Sequence, residues 1–278
     1  MSRRRAHDPL AWIETLCAGH PSELAQELRA LAPSWDVHQF SVQNHPVIAV
    51  CEGRTAWLFV GLPHDDDATQ DRCLSRMRTE LADRGVTKLF SGGPPRWYLH
   101  SGLDPAGPQA RAWQRAGAVV ASAHADLTVS TAVAAPEDLA VHRPTPDEAS
   151  AVIAWISREF SAAWAHECAQ ALTHQGLFVT RDGSLGQALG ETLGVAAFAA
   201  HSGHARALGT FGPLGTHPAA RGRGHATRVT HCALRSLGLL GHATCTVPWV
   251  NEESQRFYRT ICDVNAVHNR TLYCLTTT

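Results

Sequence analysis

The chain has 278 residues, 44% hydrophobic and 18% charged, a globular composition that is long enough for two domains with separate cores. A formal net charge of −1 argues against a nucleic-acid partner held by a basic field. No run of about 18 apolar residues marks a membrane helix, and with Lys88 as the single lysine among many alanines the composition points to a high-GC, bacterial genome.

In chain order, residues 1–35 have helical spacing, Leu10, Ile13, Leu16 and Cys17 and then Leu24, Leu28 and Leu31, broken at Gly19-His20-Pro21-Ser22. Short apolar runs at 37–42, 46–51 and 55–61 predict a small antiparallel meander. Leu62-Pro63-His64-Asp65-Asp66-Asp67 follows, three carboxylates that suit a helix N-terminus and repel an anion. A helix is predicted over 68–84 with Leu74, Met77 and Leu81 inward and Gly85 as its cap, then a strand at 86–90. A glycine- and proline-rich turn containing Trp97 and Tyr98, a short helix through Trp113, Gly117 and a strand at 125–129 complete this half.

Residues 131–146, with Pro136, Pro144 and Pro146, form the expected linker. Two helices are predicted over 147–175, the first showing Ala151, Ile153, Ile156 and Phe160 and the second Trp164, Cys168 and Leu172. Residues 176–181 and 192–200 are predicted to form a hairpin, with a turn at Asp182-Gly183-Ser184. The run 205–214 is the next strand, and Gly212, Pro213 and Gly215 predict that it bulges or splays. Beyond the turn at 221–226, Ala226, Val229, Cys232, Ala233, Leu237 and Leu240 give a helix packed on a sheet. A strand at 245–250, a helix opened after Asn251 and carrying Phe257 and Tyr258, and final strands over 264–275 close the chain.

Chemistry concentrates at Arg221-Gly222-Arg223-Gly224-His225-Ala226, where a strand passes through a tight turn into a helix. A helix N-terminus presents unpaired N–H groups and partial positive charge, the two glycines let a ligand approach the backbone, and the arginines add charge. The ligand expected here is a phosphate or pyrophosphate. A P-loop is excluded because no Gly-Lys-Ser/Thr follows, and a dinucleotide fingerprint because Gly-x-Gly-x-x-Gly is absent.

The spacing Arg221-x-x-Gly224-x-Ala226 after Thr216-His217-Pro218, followed by a long helix, a strand, Asn251 and Tyr258, resembles the GCN5-related N-acetyltransferase (GNAT) superfamily. The resemblance implies an α/β fold of two such domains in tandem. Each is a mixed, mostly antiparallel sheet flanked by helices, with splayed central strands in the C-terminal copy. The implied bounds are a degenerate N-terminal domain at 1–130, a linker at 131–146 and a catalytic domain at 147–278. The resemblance further implies acetyl-CoA as acyl donor and a small-molecule amine as acceptor. Its pyrophosphate would be held by Arg221, Gly222, Arg223, Gly224, His225 and Ala226, and its pantetheine arm and thioester oxygen by backbone N–H groups near Leu214 and Thr216, while Asn251 would hold the pantetheine arm or open the next helix. Tyr258 would act as general acid. The base stays open among His217, whose unperturbed pKa suits the task, Glu167, Glu159 and bulk water. Only the C-terminal half is expected to bind coenzyme A, with the N-terminal half walling the acceptor site through Trp97-Tyr98 or serving packing alone.

Eight scattered cysteines, without a Cys-x-x-Cys pair, fit reduced thiols, and the histidine pairs His201/His204, expected at a hairpin turn, and His166/His174 suggest no metal site. A cytoplasmic protein, monomer or homodimer, without membrane or nucleic-acid partner, is the resulting expectation. Open alternatives are another acyl-CoA, decarboxylation of a malonyl thioester, and a non-catalytic CoA-binding regulator.

Overall fold

The computed structural model describes residues 25–26, 29, 36–42, 45–59, 66–93, 101–133, 140–183, 194–201 and 209–277. The helices expected over 1–35, the Trp97-Tyr98 segment, His204 and Cys17 therefore lie wholly or almost wholly outside the described residues. Two compact units are interleaved along the chain: Met1–Asp126 with Trp249–Asn251 and His268–Thr278, and Leu127–Pro248 with Glu252–Val267.

In the first unit, β1 (Asp36–Val42), β2 (His45–Glu52) and β3 (Thr55–Leu58) form the expected antiparallel meander. α1 (Asp67–Ala82) buries Cys73, Leu74, Met77 and Leu81, the row its three- and four-residue spacing sets apart. The acidic run does what its chemistry suggests: Oδ1 of Asp66 accepts the N–H of Thr69 at 2.9 Å and caps the helix. That N–H holds the Asp66 carboxyl below the usual carboxylate range. β4 (Lys88–Phe90) then returns parallel to β3, paired through Thr55↔Lys88, Ala56↔Leu89 and Trp57↔Phe90. α2 (Pro108–Arg115), with proline in its first turn, ties to α1 through Arg115, 3.0 Å from Asp67 and 2.8 Å from Asp71.

Three long strands follow, β5 (Val119–Ser130), β10 (Thr244–Val250) and β11 (Val264–Thr276), and the larger sheet has the order β1-β2-β3-β4-β11-β5-β10. Within the first unit, the buried Asp126 accepts from Nε of Arg270 at 3.0 Å, from the Ser101 hydroxyl at 2.8 Å and from the Trp249 N–H at 3.3 Å. This satisfies a carboxylate that burial otherwise makes costly, and it fixes Trp249 in a left-handed conformation, φ 61°.

The second unit contains a four-stranded antiparallel sheet, β6 (Val141–His142), β7 (Leu177–Arg181), β8 (Val195–His201) and β9 (Phe211–Thr216), between helices. β6 falls inside the segment expected as linker, and Pro146 opens α3 (Pro146–Glu159) rather than ending that linker. Thr145 and Glu148 form a capping box, the local reason the helix starts there. α3 and α4 (Ala162–Leu172) pack Trp155, Ile156, Ala165 and Cys168 on Val179 and Phe198. α5 (His225–Leu239) packs across β7, β8 and β9, burying Val229, Ala233 and Leu237. Cys232 and Leu240, expected on its inward stripe, are half-buried and 50% exposed, because the buried row runs every fourth residue from His225. β8, covered on both sides, is buried at every position. His201, expected at a turn, is instead buried at the end of β8 with Nε2 3.0 Å from the Ser236 hydroxyl. α6 (Glu252–Ile261) follows β10.

No disulfide joins the described cysteines, and burial pushes the thiols of Cys51 and Cys262 up to about 11, so they are protonated at neutral pH. Among the described residues, no helix is long and apolar enough to cross a membrane, and no group of three His, Cys, Asp or Glu side chains could hold a metal ion.

Candidate functional site

Thr210, just before β9, makes a parallel bridge to Thr246 of β10, with the Thr246 N–H donating to the Gly209 carbonyl at 3.0 Å. Beyond that bridge β9 continues in the sheet with β8, whereas β10 joins the sheet of β5 and β11. The two parallel strands thus part into a wedge. β9 also bulges as its glycines and proline predict: His201↔Phe211 and Ala199↔Leu214 leave three steps on β9 against two on β8. The His217 N–H donates to Ala196 across β8 at 2.8 Å. With a strand period of two, the N–H groups of Leu214 and Thr216 therefore point away from β8, toward the open edge.

At the end of β9 the chain makes a 3-10 turn, Pro218–Ala220, and enters the exposed stretch 221–224. Gly222 and Gly224 have φ of 75° and 79°, values that favour glycine, and a side chain built on either would meet nothing within 4 Å. The loop is an open cradle. Gly224 is the N-cap of α5, no side chain caps this end, and no acidic residue lies in its first turn. Its unpaired N–H groups and dipole fit an anion, unlike α1, whose end Asp66 fills.

Arg221 is exposed, but the charge of Arg223 is not isolated: its Nη1 donates to Oδ2 of Asp182, just beyond β7. The same oxygen lies 3.6 Å from Nε2 of His225, whose ring is buried and whose Nδ1 has no hydrogen-bond partner. Asp182 was expected only as a turn residue; nothing local in the sequence signals a reach across 41 positions to the loop.

The structure brings two of the expected catalytic candidates to β9. Tyr258, buried on α6, stands edge-on to Phe211 with ring centres 6.0 Å apart, next to the Thr210 bridge. His217 follows β9 directly; its Nδ1 accepts the Ala219 N–H at 3.2 Å, which leaves the proton of the neutral ring on Nε2, 3.7 Å from Oε2 of Glu159. Nδ1 of His217 is thus occupied by that N–H, and the nearby group with spare lone pairs is the Glu159 carboxylate. Its Oε1 accepts from Arg158 at 2.7 Å. Glu167 is 3% exposed among the buried residues of α4, beside Cys168, whose thiol is pushed up by burial and then by the Glu167 charge. Asn251 sits between β10 and α6, grouped by its contacts with the first unit. Ala226, half-buried, is in the first turn of α5.

No family model matches the chain, and no curated protein matches it in sequence. Solved structures do match in fold. A tandem GNAT protein from the clavulanic acid biosynthesis pathway superposes with TM-score 0.63 at 12% identity, over 100% of this chain and 97% of its own. A GCN5-related N-acetyltransferase from Sphaerobacter thermophilus gives 0.58 at 12% identity, over 83% and 76%. The GCN5-related glucosamine N-acetyltransferase region of a fungal multi-domain β-N-acetylglucosaminidase gives 0.59 at 16% identity, over 87% of this chain; this chain spans 31% of that protein. The wedge, the bulge and the glycine cradle before a long helix occur in a chain that has the tandem GNAT fold.

Proposed function

We propose that the chain is an acyltransferase that moves an acyl group, acetyl in the simplest case, from coenzyme A to the amine of a small molecule. The observation that carries this reading is the wedge between β9 and β10 leading into an uncapped helix N-terminus through two left-handed glycines. A wedge exposes strand N–H groups to an extended amide-bearing arm, and the helix end receives a pyrophosphate. Acetyl-CoA supplies an activated thioester. Residues 221–226 hold its anionic end, and the N–H groups of Leu214 and Thr216 orient the arm. Holding both reactants in place is worth about 7–11 kcal/mol of barrier in favourable cases. Tyr258 donates a proton at the leaving sulfur, and Glu159, backed by His217, accepts one from the amine nitrogen.

The first unit supports a single cofactor site. The helix that connects its parallel pair β3 and β4 is closed at its N-terminus by the Asp66 carboxylate, which repels an anion. Thermal unfolding with and without acetyl-CoA tests the reading. At a hundredfold excess over Kd, binding to the folded state stabilises by about 2.7 kcal/mol. That rise is expected in the wild type and absent in Arg221→Glu with Gly224→Val. An amine panel followed by thiol release then tests turnover. No rise at saturating ligand in folded protein removes the proposal.

A further inference from the structure

Four aromatic rings meet where α3 gives way to α4: Trp155 and Phe160 at the end of α3, Trp164 in the first turn of α4, and Phe198 of β8. Phe160 stands edge-on to Phe198 at 5.1 Å and to Trp155 at 5.5 Å, and is stacked with Trp164 at 5.6 Å with planes 16° apart. An ordinary core closes over its rings. Here Trp155 and Phe198 are buried, but Phe160 and Trp164 remain only half-buried, so the stacked pair forms a partly open aromatic wall.

The wall lies directly against β9. A side chain at Gly215 would come within 2.5 Å of Phe198 and 2.8 Å of Phe160, so the rings occupy the space beside the backbone between Leu214 and Thr216. Those are the residues whose N–H groups face the open edge. At the rim is the carboxylate of Glu159, adjacent in sequence to Phe160, with a side chain 26% exposed, Oε1 accepting from Arg158 at 2.7 Å and Oε2 turned toward His217 at 3.7 Å. His217 in turn lies over Trp155, ring centres 6.4 Å apart.

A partly open aromatic surface with one carboxylate at its edge reads a particular chemistry. We infer that the acceptor is an arylalkylamine, whose aromatic ring packs against the open side of the Phe160–Trp164 pair while its ammonium meets Glu159. This inference rests on the acyltransferase reading and specifies its acceptor. Ring packing and an ammonium beside an aromatic face each add affinity beyond plain burial. A polyhydroxylated amine needs many hydrogen-bonding partners, which four aromatic side chains do not offer. In the reaction a C–N bond forms as the C–S bond breaks. The ammonium nitrogen loses one proton to Glu159, and thence to solvent, before it attacks, and a second as the amide forms; the departing sulfur gains one from Tyr258, which that second proton restores.

The test uses the full chain with tryptamine, phenethylamine and glucosamine as acceptors at saturating acetyl-CoA, following free thiol. Tryptamine is expected to exceed glucosamine in kcat/KM by at least about a hundredfold. Trp164→Ala should raise the tryptamine KM about tenfold and leave the acetyl-CoA KM within about twofold; Trp164→Phe, which keeps a ring, should recover most of the loss. Equal or better use of glucosamine overturns the inference, as does a Trp164→Ala variant with an unchanged tryptamine KM. If Trp164→Ala does not fold, Trp164→Leu, which keeps apolar volume, takes its place with the same expectation. Calorimetric titration of tryptamine into the protein separates the two levels. Tryptamine binding without an acetyl-CoA thermal shift keeps the aryl site and discards acyl transfer, whereas an acetyl-CoA shift with no tryptamine binding or turnover discards the aryl site alone.

Discussion

Oδ2 of Asp182 accepts a hydrogen bond from Nη1 of Arg223 and lies 3.6 Å from Nε2 of His225, so a carboxylate stands against the glycine cradle from within the same unit. Its side chain is only 14% exposed, which limits screening by water. An anionic ligand at residues 221–226 meets both this negative charge and an arginine already neutralised. Asp182→Asn keeps the volume and removes the charge. The expected result is a CoA affinity about 3- to 10-fold tighter at low salt, the advantage shrinking toward 1 M salt as the Debye length falls to about 3 Å. Isothermal titration of both proteins checks it. A weaker complex for Asp182→Asn means that the ion pair instead shapes the loop for its ligand.

Gly215 has a packing reason that its sequence context hides. The ring edges of Phe198 and Phe160 fill the place where its Cβ would be, at 2.5 and 2.8 Å, and both rings are held by Trp155 and Trp164. Phe198, fully buried, cannot swing away. Gly215→Ala is expected to cost about 1–3 kcal/mol, a few degrees in Tm, by overpacking. Adding Phe198→Leu, which withdraws one edge, should return part of that loss. A Gly215→Ala protein as stable as the wild type refutes the tight approach.

Much of this was legible because its causes are local. The phase of α1, the acidic cap at Asp66, the bulge of β9 and the glycine turn before α5 each follow from a few neighbouring residues. β6 was missed because two residues, Val141 and His142, carry no periodicity; pairing to Thr180 and Val179 alone makes them a strand. The start of α3 did carry a signal, since Thr145-Pro146-Asp147-Glu148 spells a capping box with proline in the first turn. The aromatic wall was visible only as an apolar helix face. Its meeting with Gly215, like that of Asp182 with Arg223, depends on strand register between distant segments, which no local pattern encodes.

Glu159, His217 and Tyr258 predict separable kinetic effects under the acyltransferase reading. Glu159→Gln removes the carboxylate and should lower kcat/KM by about 10²- to 10⁴-fold. His217→Asn retains an oxygen that can accept the Ala219 N–H, now received by Nδ1 at 3.2 Å, and should lose less than about tenfold. Tyr258→Phe keeps the edge-on packing against Phe211 and loses only the hydroxyl, so kcat should fall about 10- to 100-fold with the acetyl-CoA KM unchanged. Initial rates across pH 6–9 for the three variants decide among them. If His217→Asn is the most damaged, the proton path runs through the imidazole and the assignment to Glu159 is wrong.

The start of α3 makes stability depend on acid in a predictable direction. Oε2 of Glu148 accepts the Thr145 N–H at 3.0 Å, and Oε1 accepts from Nη2 of Arg181 on β7, tying the helix to the sheet. The Thr145 N–H first, and then the Thr145 hydroxyl and the Arg181 charge, hold the Glu148 carboxyl below its ordinary range. A folded-state pKa below the unfolded one means that the stabilisation is complete above the unfolded value, about 4.3. It is lost as pH falls through the lower folded value. The difference in Tm between wild type and Glu148→Gln should therefore stay level from pH 7 to about 5 and close below pH 4. Thr145→Ala, which removes the other half of the box, should cost about 0.5–2 kcal/mol and keep most of that cost at pH 3, because the lost acceptor is a neutral hydroxyl. A Glu148→Gln deficit that persists undiminished at pH 3 means the charge contributes nothing and the amide fails on shape alone.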